Sequence, residues 1–323
     1  MTPDFKVITN TIDITAILKD RLISLRVTDE AGIKSDTVEI QLDDRDNRIQ
    51  WPVIGEELTV FLGYNNARLT NVGRYIIDEI SHAGPPDTLT IRGKATDTIK
   101  SIKAPKTRSW DNVLLGDIVK TIATEHDVIP RIAEVLSNIN ISHEDQTEES
   151  DLHFLTRLAK KNGAIAKLAN KSLIIVVEGD SKAISGKNLP IINLNKKNVI
   201  QHRLTQAERG KYKTVIAHWH DTQAAQKIPI TAGEGKPAFT LRHSYANAEE
   251  ARRAVEAKLK ALNRGSATLS LTLIGDTRLQ AEGKLQLDNF REPINSEWLI
   301  KHVEHQLNNS GFTTRLDAET PNS

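Results

Sequence analysis

From Thr37 to Asp43 the chain reads TVEIQLD, with an apolar residue at every second position. Val38, Ile40 and Leu42 point one way; Glu39, Gln41 and Asp43 point the other. That period of two is the mark of a strand with one dry face and one wet face. It recurs through the first hundred residues. Residues 21–28 put Ile23, Leu25 and Val27 on one face, and DEAGIKS (29–35) reads as the hairpin connection between these two strands. Leu58, Val60, Leu62 and Tyr64 form a third set, bounded by Gly55 and Gly63. Tyr75, Ile76, Ile77 and Ile80 mark a fourth strand. After the break at Pro85-Pro86, Leu89 and Ile91 mark a fifth. Strands this short and closely spaced predict a small barrel or sandwich.

Composition removes several classes of function. Lys plus Arg is 43 and Asp plus Glu is 42, a net charge of +1, where a dedicated nucleic-acid binder carries a basic surplus. The absence of cysteine excludes disulfide scaffolds, Cys-ligated zinc, iron–sulfur clusters and Cys nucleophiles. The opening MTPDFKVITN lacks a basic segment followed by an apolar core, so no signal peptide is expected. The densest apolar run, LIIVV at 173–177, is far short of the ~20 residues that a helical membrane span requires. At 323 residues the chain suggests about two or three domains.

Near Lys100 the period changes. Leu115, Ile118, Val119 and Ile122 make one helical stripe, with Ser109 as the predicted cap of a helix running through Thr124 and Pro130 beyond its end. A second helix is predicted over residues 151–161, capped by Ser150, with Leu152, Leu155, Leu158 and Ala159 buried. Glu148, Glu149 and Asp151 at its start and Arg157, Lys160 and Lys161 at its end suit the helix dipole. Asn162-Gly163 supplies a left-handed stop. A hairpin follows, 164–168 and 173–177 about a turn at Asn170-Lys171. Residues 213–220 read as a strand. Residues 247–262 read as a helix with Asn247 and Glu250 at capping-box spacing, Lys258, Lys260 and Arg264 toward its end, and Gly265 as its stop. Strands are predicted at 268–273, 285–287, 298–305 and 312–316.

A shift of 223 positions exposes a weak repeat. Tyr75, Ile76, Ile77, Ile80 and His82 meet Trp298, Leu299, Ile300, Val303 and His305. Leu89, Thr90 and Arg92 meet Phe312, Thr313 and Arg315. One strand earlier, residues 58–60 resemble 285–287 at a slightly different offset. Any two amphipathic hairpins share a period of two; the equal spacing favours two related β-modules flanking a mixed module.

Sites of chemistry are sparse. His218 and His220 share one face of a strand and could hold a metal, but no third ligand is near; solvent-facing polar residues explain them more simply. Neither His302-x-Glu304 nor His143-Glu144, with Thr147 where the second His should stand, has zincin spacing. The run Glu144, Asp145, Glu148, Glu149, Asp151 could supply a glycosidase pair, yet charge compensation at a helix start accounts for it. GDSKAISGK (179–187) has the wrong glycine spacing for a phosphate loop, and Gly233-Glu234-Gly235-Lys236 is a lone G-x-G. No G-x-S-x-G elbow occurs. The basic pairs Lys160-Lys161, Lys196-Lys197 and Arg252-Arg253 are dispersed, without aromatic interleaving. The residues therefore favour a binding or structural protein, with no catalytic, cofactor or metal residues expected.

Three stretches together resemble the phage late control gene D protein family, the baseplate hub proteins of contractile tails. The first runs from Val27-Thr28-Asp29 through Gly32, Ser35-Asp36 and VEIQLDD to Pro52, Gly55 and LTVFLGY. The second is Gln146-Thr147-Glu148-Glu149-Ser150-Asp151-Leu152-His153-Phe154-Leu155-Thr156-Arg157-Leu158-Ala159, closed by Asn162-Gly163. It is similar to a Q-x-x-E-S-D-x-x-F-L-x-R-L motif shared with the N-terminal part of type VI secretion VgrG spikes. The third runs from AEEARRAVEAKLKAL through TLSLTLIGD to Trp298-Leu299-Ile300 and Ser310-Gly311-Phe312.

The resemblance implies a mainly β (α+β) fold, with two similar β-barrel tube-type domains joined to a small mixed α/β domain. The expected spans are 1–100 for the first barrel, 101–180 for the mixed domain and 181–323 for the second barrel with its helix at about 247–264. It also implies a homotrimer whose six barrels form a ring between a six-fold tail tube and a three-fold spike. Edge strands would pair between subunits, and Glu39, Gln41 and Asp43 would line a lumen or a partner contact. No repetitive β-helical needle follows before Ser323, so the spike is expected to be a separate protein. Implied partners are that spike, the tail tube, other baseplate proteins and the tape-measure protein, with DNA only in passing. The place is the virion tail baseplate, after assembly in the bacterial host cytoplasm. Three alternatives stay open: the hub of a tail-like bacteriocin or other injection particle, a peptidoglycan-cleaving tail enzyme built around Glu149, and a metal-binding β-protein using His218 and His220.

Overall fold

The protein is described here from a computed structural model covering residues 2–32, 35–95, 100–169, 171–177, 191–206, 212–221, 224–263 and 267–321. Part of the DEAGIKS connection, the turn residue Asn170, the GDSKAISGK stretch, Arg264 and the expected stop at Gly265 lie outside the described residues.

The first span holds β1 (Pro3–Thr9), β2 (Ile12–Asp13), α1 (Thr15–Lys19), β3 (Leu22–Glu30), β4 (Thr37–Asp43), β5 (Glu57–Tyr64), β6 (Thr70–Ala83) and β7 (Thr88–Ala95). Next come β8 (Pro105–Leu114), α2 (Leu115–Glu125), β9 (Ile129–Ile132), α3 (Glu134–Ser137), β10 (Asn140–Ser150), α4 (Asp151–Lys161), β11 (Ala164–Ala169) and β12 (Ser172–Val177). Then follow β13 (Ile191–Asn195), β14 (Val199–Gln206), β15 (Thr214–Asp221), β16 (Gln226–Gly233), β17 (Ala238–Tyr245) and α5 (Ala248–Asn263). The chain finishes with β18 (Ala267–Ile274), β19 (Lys284–Asp288), β20 (Glu297–Asn308) and β21 (Gly311–Glu319). The fold is mainly β.

The chain divides into two compact units, each built from separated stretches. One comprises residues 1–98, 190–204 and 269–318; the other comprises 99–189, 205–268 and 319–323. The sequence reading assigned 205–268 to a C-terminal span, whereas here this stretch groups with 99–189. The reason is local: Ala251 and Val255 of α5 pack on Val215 and Ala217 of β15, and Glu250 pairs with Lys161 of α4 at 2.6 Å.

The first unit is built on one 13-stranded sheet in the order β14-β18-β21-β20-β3-β4-β7-β6-β5-β1-β2, with β19 also on β20 and β13 on β19. Alternation decides its core. Val38, Ile40 and Leu42 are buried with Leu25, Val27, Leu58, Val60 and Leu62, as their period of two demands. Beyond the strands that the sequence predicts, the N-terminal strand β1 sends Phe5 and Val7 into the same core.

In the second unit β8 pairs with β10, β12 lies between β11 and β9, and β15 lies between β16 and β17. Leu115, Ile118, Val119 and Ile122 of α2 pack with Phe154, Leu155 and Leu158 of α4 and with Leu173 and Ile175 of β12. The helix expected from Ser109 instead begins at Leu115, with no side-chain cap. Ser109 sits within β8, facing Asp145 of β10. Lys106, Arg108 and Trp110 alternate around it, and that period of two overrides the capping chemistry of one serine. The acidic run before Ser150 is likewise a strand, β10.

Candidate functional site

The motif at 146–163 carries a connected polar network. Ser150 caps α4, its Oγ accepting from the His153 amide at 3.3 Å. The next residue, Asp151, has no solvent exposure. Its Oδ2 accepts from Lys106 Nζ at 2.6 Å and meets His126 Nε2 at 2.7 Å. Its Oδ1 accepts from Arg108 at 2.5 Å and from Gln146 Nε2 at 2.8 Å. Burial alone would raise this carboxyl's pKa; the hydrogen bonds from Lys106, His126 and Gln146 and the charge of Arg108 outweigh it and hold the group down at about 2. The sequence reading takes Asp151 as one of the helix-start charges that suit the dipole. Lys106 and Arg108 on neighbouring β8 turn it into a buried anchor, and their alternation was the available signal.

A second cluster lies beside it. Arg157 of α4 donates to Glu149 at 2.9 Å, to the Asp145 carbonyl at 2.8 Å and to Glu144. Lys161 donates to Glu144 at 2.8 Å and pairs with Glu250 at 2.6 Å. Gln146, Glu149, Asp151 and Arg157, all positions of the motif, thus fasten α4 to the β8–β10 pair. An open cleft of about 600 Å³ runs along this face, with Glu149, His153 and Arg157 in its wall. Burial pushes the Glu149 carboxyl up, but Arg157 and His153 bring it below its usual range. Ser109 and His143 lower Asp145 in the same way. Two-carboxylate glycoside chemistry needs one acid that keeps its proton, and these two are tuned toward the ionised form.

Metal donors are no better placed. Glu125, His126 and Asp151 offer atoms within 4.8 Å of one another, but Lys106 Nζ already bridges Glu125 at 2.7 Å and Asp151 at 2.6 Å. The ammonium occupies the position of a cation. His218 is half-buried and His220 exposed on β15. Among the described residues, no cluster of three potential ligands includes either.

The internal repeat survives in three dimensions. The sheet path β3-β4-β7-β6-β5 is matched by β14-β18-β21-β20-β19, with the strands in the same chain order. The register recurs as well: Leu58 faces Tyr75 and Glu57 faces Ile76, while Leu285 faces Trp298 and Lys284 faces Leu299. Even the entry to the third strand is copied. Gly55 N donates to Ile77 O at 2.8 Å and Ile77 N to Glu56 O at 2.9 Å; Glu282 N donates to Ile300 O and Ile300 N to Gly283 O, both at 2.9 Å. Gly55 and Glu282 each adopt a positive φ there. The first strands differ, since β1 runs antiparallel to β5 and β13 parallel to β19. In addition, residues 207–266 stand between β14 and β18 in the second copy only.

Residues 35–311 match the family model described as phage tail baseplate hub (GPD). The chain belongs to the phage tail baseplate hub family. The probable baseplate hub protein of Escherichia phage 186 is 34% identical to this hub over 362 residues, covering 99% of this chain and 93% of the relative. Among solved structures, a tail protein from Neisseria meningitidis MC58 superposes with a TM-score of 0.75 at 13% identity, over 99% of this hub and 97% of that chain. The E. coli c3393 protein, a component of the type VI secretion system, superposes with a TM-score of 0.59 at 14% identity, over 94% and 74%. Both likenesses establish a shared fold.

Proposed function

We propose that this hub works as a homotrimeric ring at the baseplate of a contractile phage tail, joining a six-fold tube to a three-fold spike carried by a separate protein. The observation that carries the reading is the duplicated five-strand sheet within a chain of the baseplate hub family. Two equivalent modules per chain let three chains present six similar surfaces to a tube and three to a spike. Each repeat is read as one tube-type barrel, with 207–266 as an insertion in the second. The role is mechanical rather than enzymatic: in the most acidic stretch Glu144, Glu149 and Asp151 are spent on Arg157, Lys161, Lys106 and Arg108. The bacteriocin and peptidoglycanase alternatives are not favoured, since the matched relative is a phage hub protein. Sedimentation of the purified chain tests the ring: a species of three chains is expected, and a monomer at every concentration would count against it. In a peptidoglycan zymogram no clearing is expected; clearing that Glu149→Gln abolishes would overturn the non-enzymatic role.

A further inference from the structure

The insertion between β14 and β18 has no counterpart in the first repeat, which forms the same five-strand path without it. The duplicated sheet therefore does not require it. Its charge also sets it apart. Residues 207–266 hold eleven Lys and Arg against six Asp and Glu, a net of +5, while the rest of the chain sums to −4. The near-neutral total of +1 hides two regions of opposite sign.

Alternation decides where the surplus goes. Val215 and Ala217 of β15 are buried against α5, with Trp219, Phe239, Leu241 and Tyr245 packed around them. The alternate residues point to the other face. There His218 faces Pro229 and Ser244, His220 faces Lys227, and Ile216 faces Thr231 and Thr240. Arg242 alternates with the inward Leu241, and Lys227, Thr231, Thr240, Arg242 and Ser244 are all exposed. Lys213 and Lys236 are exposed at one end of the sheet, where Lys213 N donates to Pro237 O at 2.9 Å. Among the described residues, none of Lys213, Lys227, Lys236 and Arg242 forms an ion pair.

Helix α5 differs, because its charges are largely matched. Glu249 pairs with Arg253, Glu250 with Lys161, and Lys258 lies over the Phe239 ring. Two carboxylates belong to the sheet and its turns, at opposite ends. Asp221 closes β15 in step with the α5 side, its Oδ1 accepting from the Ala224 amide at 3.1 Å. Glu234 lies in the turn before Lys236. The middle of the open face carries no carboxylate.

We propose that this open face of the β15–β17 sheet docks an extended acidic segment of a partner protein. Alternate side chains of a strand stand about 6.6 Å apart, which is also the spacing of alternate carboxylates on an extended peptide. Lys227 supplies a point charge and Arg242 a planar fork that takes a carboxylate in two hydrogen bonds. The hydroxyls of Thr231, Thr240 and Ser244 donate between them. Nucleic acid fits this face less well. Trp219, Phe239 and Tyr245 all lie on the α5 side, so a single strand finds no ring to stack on. The inference concerns the insertion alone and holds with or without the trimeric ring.

Fluorescence anisotropy on the full chain tests it, with a labelled dodecapeptide of alternating Glu and Thr as the probe. In about 50 mM salt the Glu peptide is expected to bind about tenfold tighter than its Gln counterpart, and to weaken at about 0.5 M. Lys227→Glu with Arg242→Glu should cost about tenfold or more in affinity, and Lys227→Gln with Arg242→Gln about threefold. The milder pair keeps the test valid if charge reversal disturbs folding. Lys196→Glu with Lys197→Glu makes the same charge change outside the insertion and should leave binding within about twofold. Equal binding of the Gln peptide, or an equal loss in the Lys196/Lys197 variant, overturns the site. A DNA duplex of equal charge that binds more tightly than the peptide, with the same dependence on Lys227 and Arg242, overturns the choice of partner. A change in the sedimenting species caused by the Lys227/Arg242 variants would make the face a contact between copies and also overturn the proposal.

Discussion

Asp151 shows how much one side chain depends on its partners. In the folded chain two cations, an imidazole and an amide surround a carboxylate with no access to water. Replacing it with Asn leaves Lys106 and Arg108 short of their counter-charge, and breaking such a pair typically costs about 3–5 kcal/mol. Asp151→Asn is expected to lower the free energy of urea unfolding by an amount of that order. The same carboxyl sets an acid limit. Its folded pKa, about 2, lies below the ordinary 3.8, so its contribution is complete above about pH 4 and is lost as pH falls toward 2. That contribution is worth about 2 kcal/mol. His305 acts earlier on the same titration. Burial lowers its pKa below 6.5, so on acidification the unfolded chain takes the proton first. Unfolding measured from pH 8 downward is expected to show stability declining from about 6.5, and His305→Gln should remove that upper limb. Of these features the sequence showed the Ser150 cap, which depends on a residue three positions away. It did not show the burial of Asp151, because Lys106 and Arg108 arrive from more than 40 residues earlier.

At the scale of elements, periodicity was the dependable signal. β4 has the bounds that TVEIQLD predicts, and α4 those of the 151–161 motif. Inside-out logic gives a direct check on β4. Ile40→Ala should cost about 2–5 kcal/mol through the cavity it leaves. Glu39→Ala, losing surface ion pairs to Arg92 and Arg26, should cost less than about 1 kcal/mol in the same denaturation series. Caps mattered where side-chain geometry supported them: Ser150 and Asn247 each accept an amide three residues on, whereas Ser109 caps nothing. Ser150→Ala is expected to lower stability by about 1 kcal/mol. The sequence predicts a helix start at Ser109 because a serine before an apolar stripe has the same letters as a serine in a strand. Pairing with β10 chose between them, and that contact spans 36 residues.

For the whole molecule the decisive feature is duplication with a shared join. A five-strand path occurs twice, and its copies meet through β3 and β20. Trp51, Val53 and Ile54 form an exposed apolar stretch; if it holds the chains of the ring together, a charge there should separate them. Ile54→Asp is expected to shift the sedimenting species from three chains toward one while the far-UV circular dichroism stays unchanged, since Ile54 is largely exposed in the single chain. A trimer unaffected by Ile54→Asp would place the contact elsewhere.

The sequence alone determined the strand alternation, the 151–161 helix with its cap, the equal spacing of the repeated hairpins and the family. Each of these depends on neighbours within a few residues or on an order of motifs along the chain. Tertiary structure decided the rest: the buried state of Asp151, the grouping of 205–268 with the middle of the chain, and the face of the β15–β17 sheet that stays open. Those outcomes are contacts between residues tens to hundreds of positions apart, and local periodicity is the same whether or not a distant strand arrives to cover a face.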